Sequence, residues 1–157
     1  MRITVAPDQT GKLIAALGRA GVRETGGQLF GEQLAPSDFR VTHLTVQARP
    51  GTVSRFVVDL MQAARDAIAF FHRTNHTYGR YNYIGEWHSH PSFAVQPSGT
   101  DLDTMRNLVR DPRFAGNFAV LMITKIDGAA LSAAAWVFDP RGQESTVNLE
   151  VEVEQGH

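Results

Sequence analysis

The sequence predicts an α/β domain of the mixed α and β class, in which strands outnumber helices. Short segments rich in β-branched and aromatic residues recur along the chain, and turn-forming residues separate them. Longer segments with apolar residues at helical spacing interrupt these strands. With 157 residues, of which 43% are hydrophobic, the chain can bury a core of its own. We therefore expect a single domain over residues 1–157.

The first part of the chain is predicted to hold a strand, a helix and a hairpin. Residues 2–6 form the first predicted strand. Apolar residues at helical spacing then predict a helix over 9–20, which Gly21 ends. Two strands over 26–34 and 39–48 are joined by the turn-forming sequence APSD. These two strands are expected to pair as a hairpin.

The middle of the chain is predicted to alternate strands with helices. A strand over 53–58 leads into Asp59, whose carboxylate suits the N-cap of a long helix to about residue 74. The segment RYNYIGEWHSH at 80–90 is the next predicted strand and carries two histidines at its end. A loop with prolines follows it, and then a helix over 101–110.

The last part is predicted to be β structure. Strands over 117–126 and 129–138 flank Asp127-Gly128, a dipeptide typical of tight hairpin turns. A final strand is predicted over 145–153. The pattern therefore places all predicted helices before residue 111.

Composition excludes several classes of function. The formal net charge is -1 and the arginines are scattered, so no basic footprint for nucleic acid is present. The longest apolar runs, such as FAVLMI at 118–123, are far shorter than a membrane-spanning helix requires. The chain has no cysteine. We expect a cytoplasmic protein with neither nucleic acid nor membrane as a partner.

The stretch HSHPSFAVQPSGTD, residues 88–101, is the strongest chemical signal in the chain. On a strand, His88 and His90 share a face, and Asp101 adds a carboxylate. Three protein ligands with an open fourth position are typical of a catalytic zinc, whereas structural zinc sites are closed by four ligands, often thiolates. The spacing therefore favours a catalytic metal site.

Asp101 also has a purely structural interpretation. Ser98 and Asp101 have the spacing of a capping box, in which the two side chains begin a helix. Such a cap would also fix Asp101 in the first turn, so the two interpretations are compatible. Asp103 is expected to face elsewhere and to be solvated. The remaining histidines are expected to be structural or exposed: His43, His72, His76 and His157.

Hydrolysis at such a site also requires a group that moves protons. Glu86 lies on the face of the two histidines, and Glu24 precedes the strand GGQLFG. Spacing alone leaves open which glutamate acts, and whether Glu86 is a base or a neighbour of the ligands. Other hydrolase patterns are missing: the chain has no HExxH, no PCxxC and no GxSxG.

Three segments together resemble the JAMM (MPN+) metalloproteases: ETGGQLFGE, GEWHSHP and the Ser98 to Asp101 spacing. The resemblance covers about residues 3 to 140. It implies the JAB/MPN fold, a central mixed, mostly antiparallel sheet flanked by helices. It further implies one Zn²⁺ per chain held by His88, His90 and Asp101, with Glu24 as general acid and base. Ser98 would stabilise the oxyanion.

Within that family the chain most resembles bacterial isopeptidases encoded beside ubiquitin-like conjugation enzymes in antiphage operons, including CBASS. This resemblance implies hydrolysis after the C-terminus of a ubiquitin-like protein, which releases it from a target or trims its precursor. Its partners would be that protein or its conjugate, together with E1/E2-like enzymes encoded nearby. The segments 49–55 and 92–100 look short beside the insertions with which eukaryotic relatives clamp ubiquitin.

Two other functions remain open at this stage. The same fold could process the tail of a sulfur-carrier protein in cofactor or siderophore biosynthesis. A non-catalytic MPN scaffold is a third hypothesis, although such scaffolds lose ligands and this chain keeps the complete set. For either enzyme, we expect the substrate tail to add as a strand beside a sheet edge near the site.

Overall fold

A computed structural model describes residues 1–47, 82–114 and 116–156. Its elements, in chain order, are β1 (Arg2–Val5), α1 (Pro7–Ala20), β2 (Gly26–Ala35), β3 (Asp38–Leu44), β4 (Asn82–Ser89), α2 (Gly99–Arg110), β5 (Ala119–Asp127), β6 (Ala130–Phe138), β7 (Glu144–Thr146) and β8 (Asn148–Val151). The predicted strand over 53–58 and the predicted helix that begins near Asp59 lie outside the described residues.

All eight described strands form one sheet in the order β7-β6-β5-β4-β2-β3-β1-β8. Four neighbouring pairs are antiparallel, namely β2 with β3, β2 with β4, β5 with β6 and β6 with β7. Three pairs are parallel, namely β1 with β3, β1 with β8 and β4 with β5. The predicted mixed, mostly antiparallel sheet is therefore confirmed.

Of the two described helices, one packs on each face of this sheet. Successive side chains of a strand point to opposite faces, so both faces are buried. On β5, Val120 and Met122 belong to a buried cluster that includes Leu13 and Leu17 of α1. The alternate residues, Leu121 and Ile123, belong to a second cluster with Met105, Leu108 and Val109 of α2. A strand buried on both sides explains the unbroken apolar run in β5.

The two predicted hairpins are confirmed. β2 and β3 pair across the APSD turn, where Ser37 has a positive φ of 59°. β5 and β6 pair from Asp127 opposite Ala130, and Gly128 in the connecting turn has φ 62°. A positive φ costs glycine little, so this turn agrees with the sequence signal.

The prediction of one final strand over 145–153 is wrong, because this segment forms two strands at opposite ends of the sheet. β7 pairs with β6, whereas β8 pairs with β1. Between them, the Val147 N–H donates to the Ala135 carbonyl at 3.0 Å and the Asn148 N–H donates to the Met1 carbonyl at 3.1 Å. The sheet therefore curves until its two ends meet at this segment. No helix in the described part of the chain is long and apolar enough to cross a membrane.

Candidate active site

His88, the first candidate metal ligand, lies on β4 in the middle of the sheet. In the parallel register with β5, Glu86 lies beside Leu121 and His88 beside Ile123, on the face that α2 covers. Trp87 points to the opposite face, where it is fully buried in the cluster with α1. The alternation expected from the sequence is therefore present, and it directs His88 towards α2.

His90 follows β4 and is fixed from two directions. Its backbone N–H donates to the Thr124 carbonyl of β5 at 2.9 Å. Its ring Nδ1 lies 3.0 Å from the Ala94 carbonyl. Because a carbonyl only accepts hydrogen bonds, Nδ1 carries a proton, which leaves Nε2 as the ring nitrogen that would bind a metal ion. A backbone partner of this kind commonly orients a metal-binding imidazole.

Asp101 is held by the capping box that begins α2. The Asp101 N–H donates to Ser98 Oγ at 3.1 Å, and the Ser98 N–H donates to Asp101 Oδ2 at 2.8 Å. The reciprocal pattern is the one predicted from the sequence. Asp101 is nevertheless 3% exposed, whereas most capping residues face solvent. The cap therefore fixes this carboxylate in the interior, beside β4.

The three predicted ligands converge. His88 Nε2 lies 3.0 Å from His90 Nε2 and 3.2 Å from Asp101 Oδ1, and His90 Nε2 lies 3.2 Å from Asp101 Oδ2. All three residues are buried, and one ligand atom from each lies within 4.8 Å of the others. Two imidazoles and a carboxylate form a donor set that can hold a transition-metal ion.

The charges of the site are strongly coupled. Burial opposes ionisation of Asp101, but hydrogen bonds with His88 and His90 outweigh this effect and hold its pKa well below the usual range. The hydrogen bond to Asp101 raises the pKa of His90 despite burial. A carboxylate that stays ionised between two imidazoles is the state in which this group binds a cation.

Glu24 lies beside these ligands, although more than sixty positions separate it from them in the sequence. It precedes β2, whose Gly26 pairs with His88. Its side chain is half-buried, and burial raises its pKa, while charge on His88 and His90 opposes this rise and Asp101 adds to it. The structure therefore brings the second proton-transfer candidate within electrostatic range of all three ligands.

Glu86 occupies a different environment. It is 2% exposed, and burial raises its pKa to about 8 against the opposing effect of the nearby Tyr83 hydroxyl. Among the described residues, its Oε1 has no hydrogen-bond partner, and neither has Nε2 of Gln28, which lies opposite it on β2. Glu86 does not join the ligand cluster, so it is a buried neighbour of the site.

The remaining predictions for polar residues are met where the structure describes them. Asp103 is exposed, and so is His43, whose ring lies 6.1 Å from that of Phe30. His72, His76 and His157 lie outside the described residues. The described edges of the sheet are β7 and β8, and neither carries a site residue. In that part of the chain, no sheet edge at the site is available for the expected added strand.

Sequence reasoning missed two contacts at the site. The Ala94 carbonyl that orients His90 carries no signal, because every residue has such a group. The Ser89 hydroxyl accepts a hydrogen bond from the backbone N–H of Thr25, which lies just before the neighbouring strand β2. Ser89 belongs to no sequence pattern beyond its place between His88 and His90, so no role was predicted for it.

A curved mixed sheet with a His-x-His strand and a capped aspartate defines a JAB-type metal-site domain. The chain belongs to the family described as prokaryotic homologs of the JAB domain, whose model matches residues 8–139. This confirms the resemblance to the JAMM/MPN+ proteins and the JAB/MPN fold.

Individual proteins are similar to the chain in sequence or in structure. The chain is 28% identical over 142 residues to a protein named CD-NTase/cGAS isopeptidase from Enterobacter hormaechei subsp. hoffmannii (strain UCI 50), covering 89% of this chain and 76% of that one. It also resembles the solution structure of a Desulfitobacterium hafniense protein, with a TM-score of 0.56, 19% identity and 99% of each chain covered. A Salinibacter ruber (strain DSM 13855) solution structure matches with a TM-score of 0.54 and 21% identity, over 100% of this chain and 97% of that one. At these identities the two structures support the fold alone.

Proposed function

We propose that the chain is a zinc-dependent (iso)peptidase that hydrolyses the bond after the C-terminus of a ubiquitin-like protein. The observation that carries this proposal is the convergence of three buried metal donors, His88, His90 and Asp101, beside the carboxyl group of Glu24. Membership of the JAB family supports peptidase chemistry. The relative named as an isopeptidase supports a protein conjugate as the substrate class.

The donor set fits zinc. Ligands at about 2.0–2.1 Å from a tetrahedral ion lie about 3.3 Å apart. The two Nε2 atoms are 3.0 Å apart, and each lies 3.2 Å from one Asp101 oxygen, Oδ1 for His88 and Oδ2 for His90. His88, His90 and Asp101 would hold the ion and leave one position open. When bound there, zinc polarises a carbonyl oxygen and acidifies water. The protein contributes an ordered, buried ligand set whose orientation comes from Ala94 and Ser98.

Glu24 is assigned the proton transfers. Burial raises the pKa of the half-buried Glu24 carboxyl, which makes it a stronger base than an exposed carboxylate and brings its pKa closer to the neutral range in which one group serves as both base and acid. In this assignment Glu24 takes a proton from the attacking water and delivers it to the leaving amine. An isopeptide bond needs both steps, because a lysine amine leaves only when it is protonated.

Ser98 is assigned the role of stabilising the oxyanion. A serine hydroxyl has one hydrogen to donate and two lone pairs. Because Ser98 Oγ accepts from the Asp101 N–H, the cap uses a lone pair and leaves the hydrogen available to the substrate. Such a donor stabilises the charge that develops on the carbonyl oxygen of the scissile bond.

The cellular setting is the most specific part of the proposal. We place the chain in the bacterial cytoplasm, in an antiphage conjugation system that also supplies E1/E2-like enzymes. The relative's name includes a CD-NTase, which supports this setting over the processing of a sulfur-carrier protein. The sulfur-carrier alternative shares the same chemistry and differs only in the protein that enters the site.

Substrate cleavage and metal content test the proposal together. Three fusions, each joined through its C-terminus to a fluorescent protein, serve as probes: a CD-NTase, a bacterial ubiquitin-like protein and a sulfur-carrier protein. We expect about one zinc per chain and cleavage of the ubiquitin-like fusion, which Glu24→Ala should leave intact. Cleavage of the CD-NTase fusion alone would make a CD-NTase, and not a ubiquitin-like protein, the substrate. Cleavage of the sulfur-carrier fusion alone would establish the alternative. Zinc-free protein without activity on any probe would establish a scaffold.

A further inference from the structure

Ser89 lies between the two ligand histidines but contacts a different strand. Its Oγ accepts a hydrogen bond from the Thr25 N–H at 3.0 Å, and its own N–H donates to the Thr25 carbonyl at 2.9 Å. Both residues are 2% exposed. Ser89 therefore ties β4 to the chain just before β2, at the residue that follows Glu24.

The hydrogen bond from the Thr25 N–H to the Ser89 hydroxyl takes the place of a regular backbone hydrogen bond where the pairing of β2 with β4 ends. In an antiparallel pair, two opposed residues exchange backbone N–H and C=O bonds. Here the Ser89 N–H keeps its backbone partner, while the Thr25 N–H donates to the Ser89 hydroxyl instead of a carbonyl. The substitution occurs immediately beyond the last registered pair, Gly26 with His88. A side chain thus sets the path of the chain where it leaves β2 towards Glu24.

The bonded N–H belongs to the peptide group that joins Glu24 to Thr25. Because a peptide group is planar, fixing this N–H also fixes the carbonyl and Cα of Glu24. We propose that Ser89 is a positioning residue that holds Glu24 in reach of the reacting bond. This inference rests on the proton-transfer role proposed for Glu24.

The two faces of β4 therefore contribute to the site in different ways. His88 presents its imidazole to Asp101, while Ser89 anchors the segment that carries the base. Loss of the hydroxyl leaves the buried Thr25 N–H without this acceptor, and an unsatisfied buried donor is destabilising. Thr25 is then held only by the hydrogen bond from the Ser89 N–H to its carbonyl, so Glu24 is no longer fixed in place.

Steady-state kinetics of zinc-loaded Ser89→Ala, with the fusion that the wild type cleaves, test this inference. We expect kcat to fall by about 10- to 100-fold, since an error of about 1 Å in placement costs on that order, with KM and zinc content unchanged. Ser89→Thr keeps the hydroxyl and should retain kcat within about threefold. Thr10→Val is the matched control and should keep the wild-type kcat, because Thr10 of α1 is 1% exposed and its hydroxyl donates to the Ala6 carbonyl, on the face of the sheet opposite His88.

A double-mutant cycle separates positioning from a general structural defect. Glu24→Gln should lower kcat by about 10²- to 10⁴-fold under single-turnover conditions. Adding Ser89→Ala to it should change the rate by no more than about twofold. A full Ser89 effect in the Glu24→Gln background, or loss of zinc from Ser89→Ala, would overturn the inference.

Amide exchange gives a readout that does not require activity. The Thr25 N–H of the zinc-loaded wild type should exchange slowly, and in Ser89→Ala it should exchange at least about tenfold faster, with Ser89→Thr close to wild type. Equal exchange in wild type and Ser89→Ala contradicts the inference even if no probe is cleaved. A zinc-loaded wild type that cleaves nothing contradicts the proposed function instead.

Discussion

Ser98 and Asp101 bond each other twice, and the carboxylate that closes this cap also contacts both ligand histidines. Asp101 Oδ2 accepts from the Ser98 N–H at 2.8 Å and lies 3.2 Å from His90 Nε2. The start of α2 and the metal-binding group are thus one structure. Capping and ligation can still be separated, because an amide oxygen caps a helix but is a poor ligand for zinc.

Asp101→Asn is expected to lose zinc without losing the helix. The amide oxygen can accept from the Ser98 N–H, so the variant should keep the helix and still unfold cooperatively in the presence of a chelator. Zinc content should fall from about one per chain to less than about 0.1, and cleavage should be abolished. Metal analysis and calorimetry give the two readouts.

Asp103→Asn is the control for this prediction. Asp103 lies two residues further along the same helix and is exposed. It should keep wild-type zinc content and activity. Full zinc occupancy in Asp101→Asn would contradict the assignment of Asp101 as a ligand.

Ser98 is expected to have separable roles in stability and catalysis. Ser98→Ala removes the acceptor for the Asp101 N–H and should lower the free energy of unfolding by about 1 kcal/mol. Ser98→Asn restores a cap and should recover that stability. Ser98→Ala offers no hydrogen-bond donor to the substrate, so its kcat should fall by about 10²- to 10³-fold. Wild-type kcat in zinc-loaded Ser98→Ala would contradict the oxyanion role.

The sequence predicted best those features that depend on local chemistry. The capping box fixed the start of α2, and Asp127-Gly128 fixed the hairpin of β5 and β6, because each acts over a few residues. The candidate ligands His88 and His90 were predicted for the same reason, since alternation on a strand places them on one face.

Long-range features could not be derived in this way. Glu24 comes close to His88 only because β2 pairs with β4, and spacing in the sequence does not specify pairing. The Ala94 carbonyl and the Thr25 N–H are backbone groups that every residue has. The division of the last segment into β7 and β8 depends on the curvature of the whole sheet.

Glu86 predicts an unusual dependence of stability on pH. Burial raises its pKa from 4.5 to about 8, so the folded chain keeps a proton that the unfolded chain releases near pH 4.5. The unfolded state binds fewer protons between these values, so the free energy of unfolding falls as pH rises from about 4.5 to 8 and then levels off. Since one pKa unit corresponds to about 1.4 kcal/mol, the loss is on the order of a few kcal/mol.

Glu86→Gln should remove this dependence. Denaturant unfolding from pH 5 to 9, with chelator present so that metal binding does not contribute, should give a flatter curve than wild type. The free energy of unfolding of Glu86→Gln minus that of wild type should therefore be larger at pH 8.5 than at pH 5. Asp103→Asn, which removes an exposed carboxyl, should follow the wild-type curve. Parallel curves for Glu86→Gln and wild type would show that Glu86 ionises normally.

Phe93 is expected to contribute to substrate binding if the proposed function is correct. Its side chain is 65% exposed and meets the His90 ring edge-on, with centroids 6.4 Å apart and an interplanar angle of 82°. An exposed aromatic ring beside a metal ligand offers apolar contact to a peptide tail entering the site. Phe93→Ala should lower kcat/KM by about tenfold, equivalent to about 1.4 kcal/mol, mainly through KM. Leu34→Ala is the matched control, because Leu34 is 56% exposed but lies near the end of β2 remote from His88, and it should leave kcat/KM unchanged. Zinc content and the unfolding midpoint should match wild type in both variants, and an unchanged KM in Phe93→Ala would place the tail elsewhere.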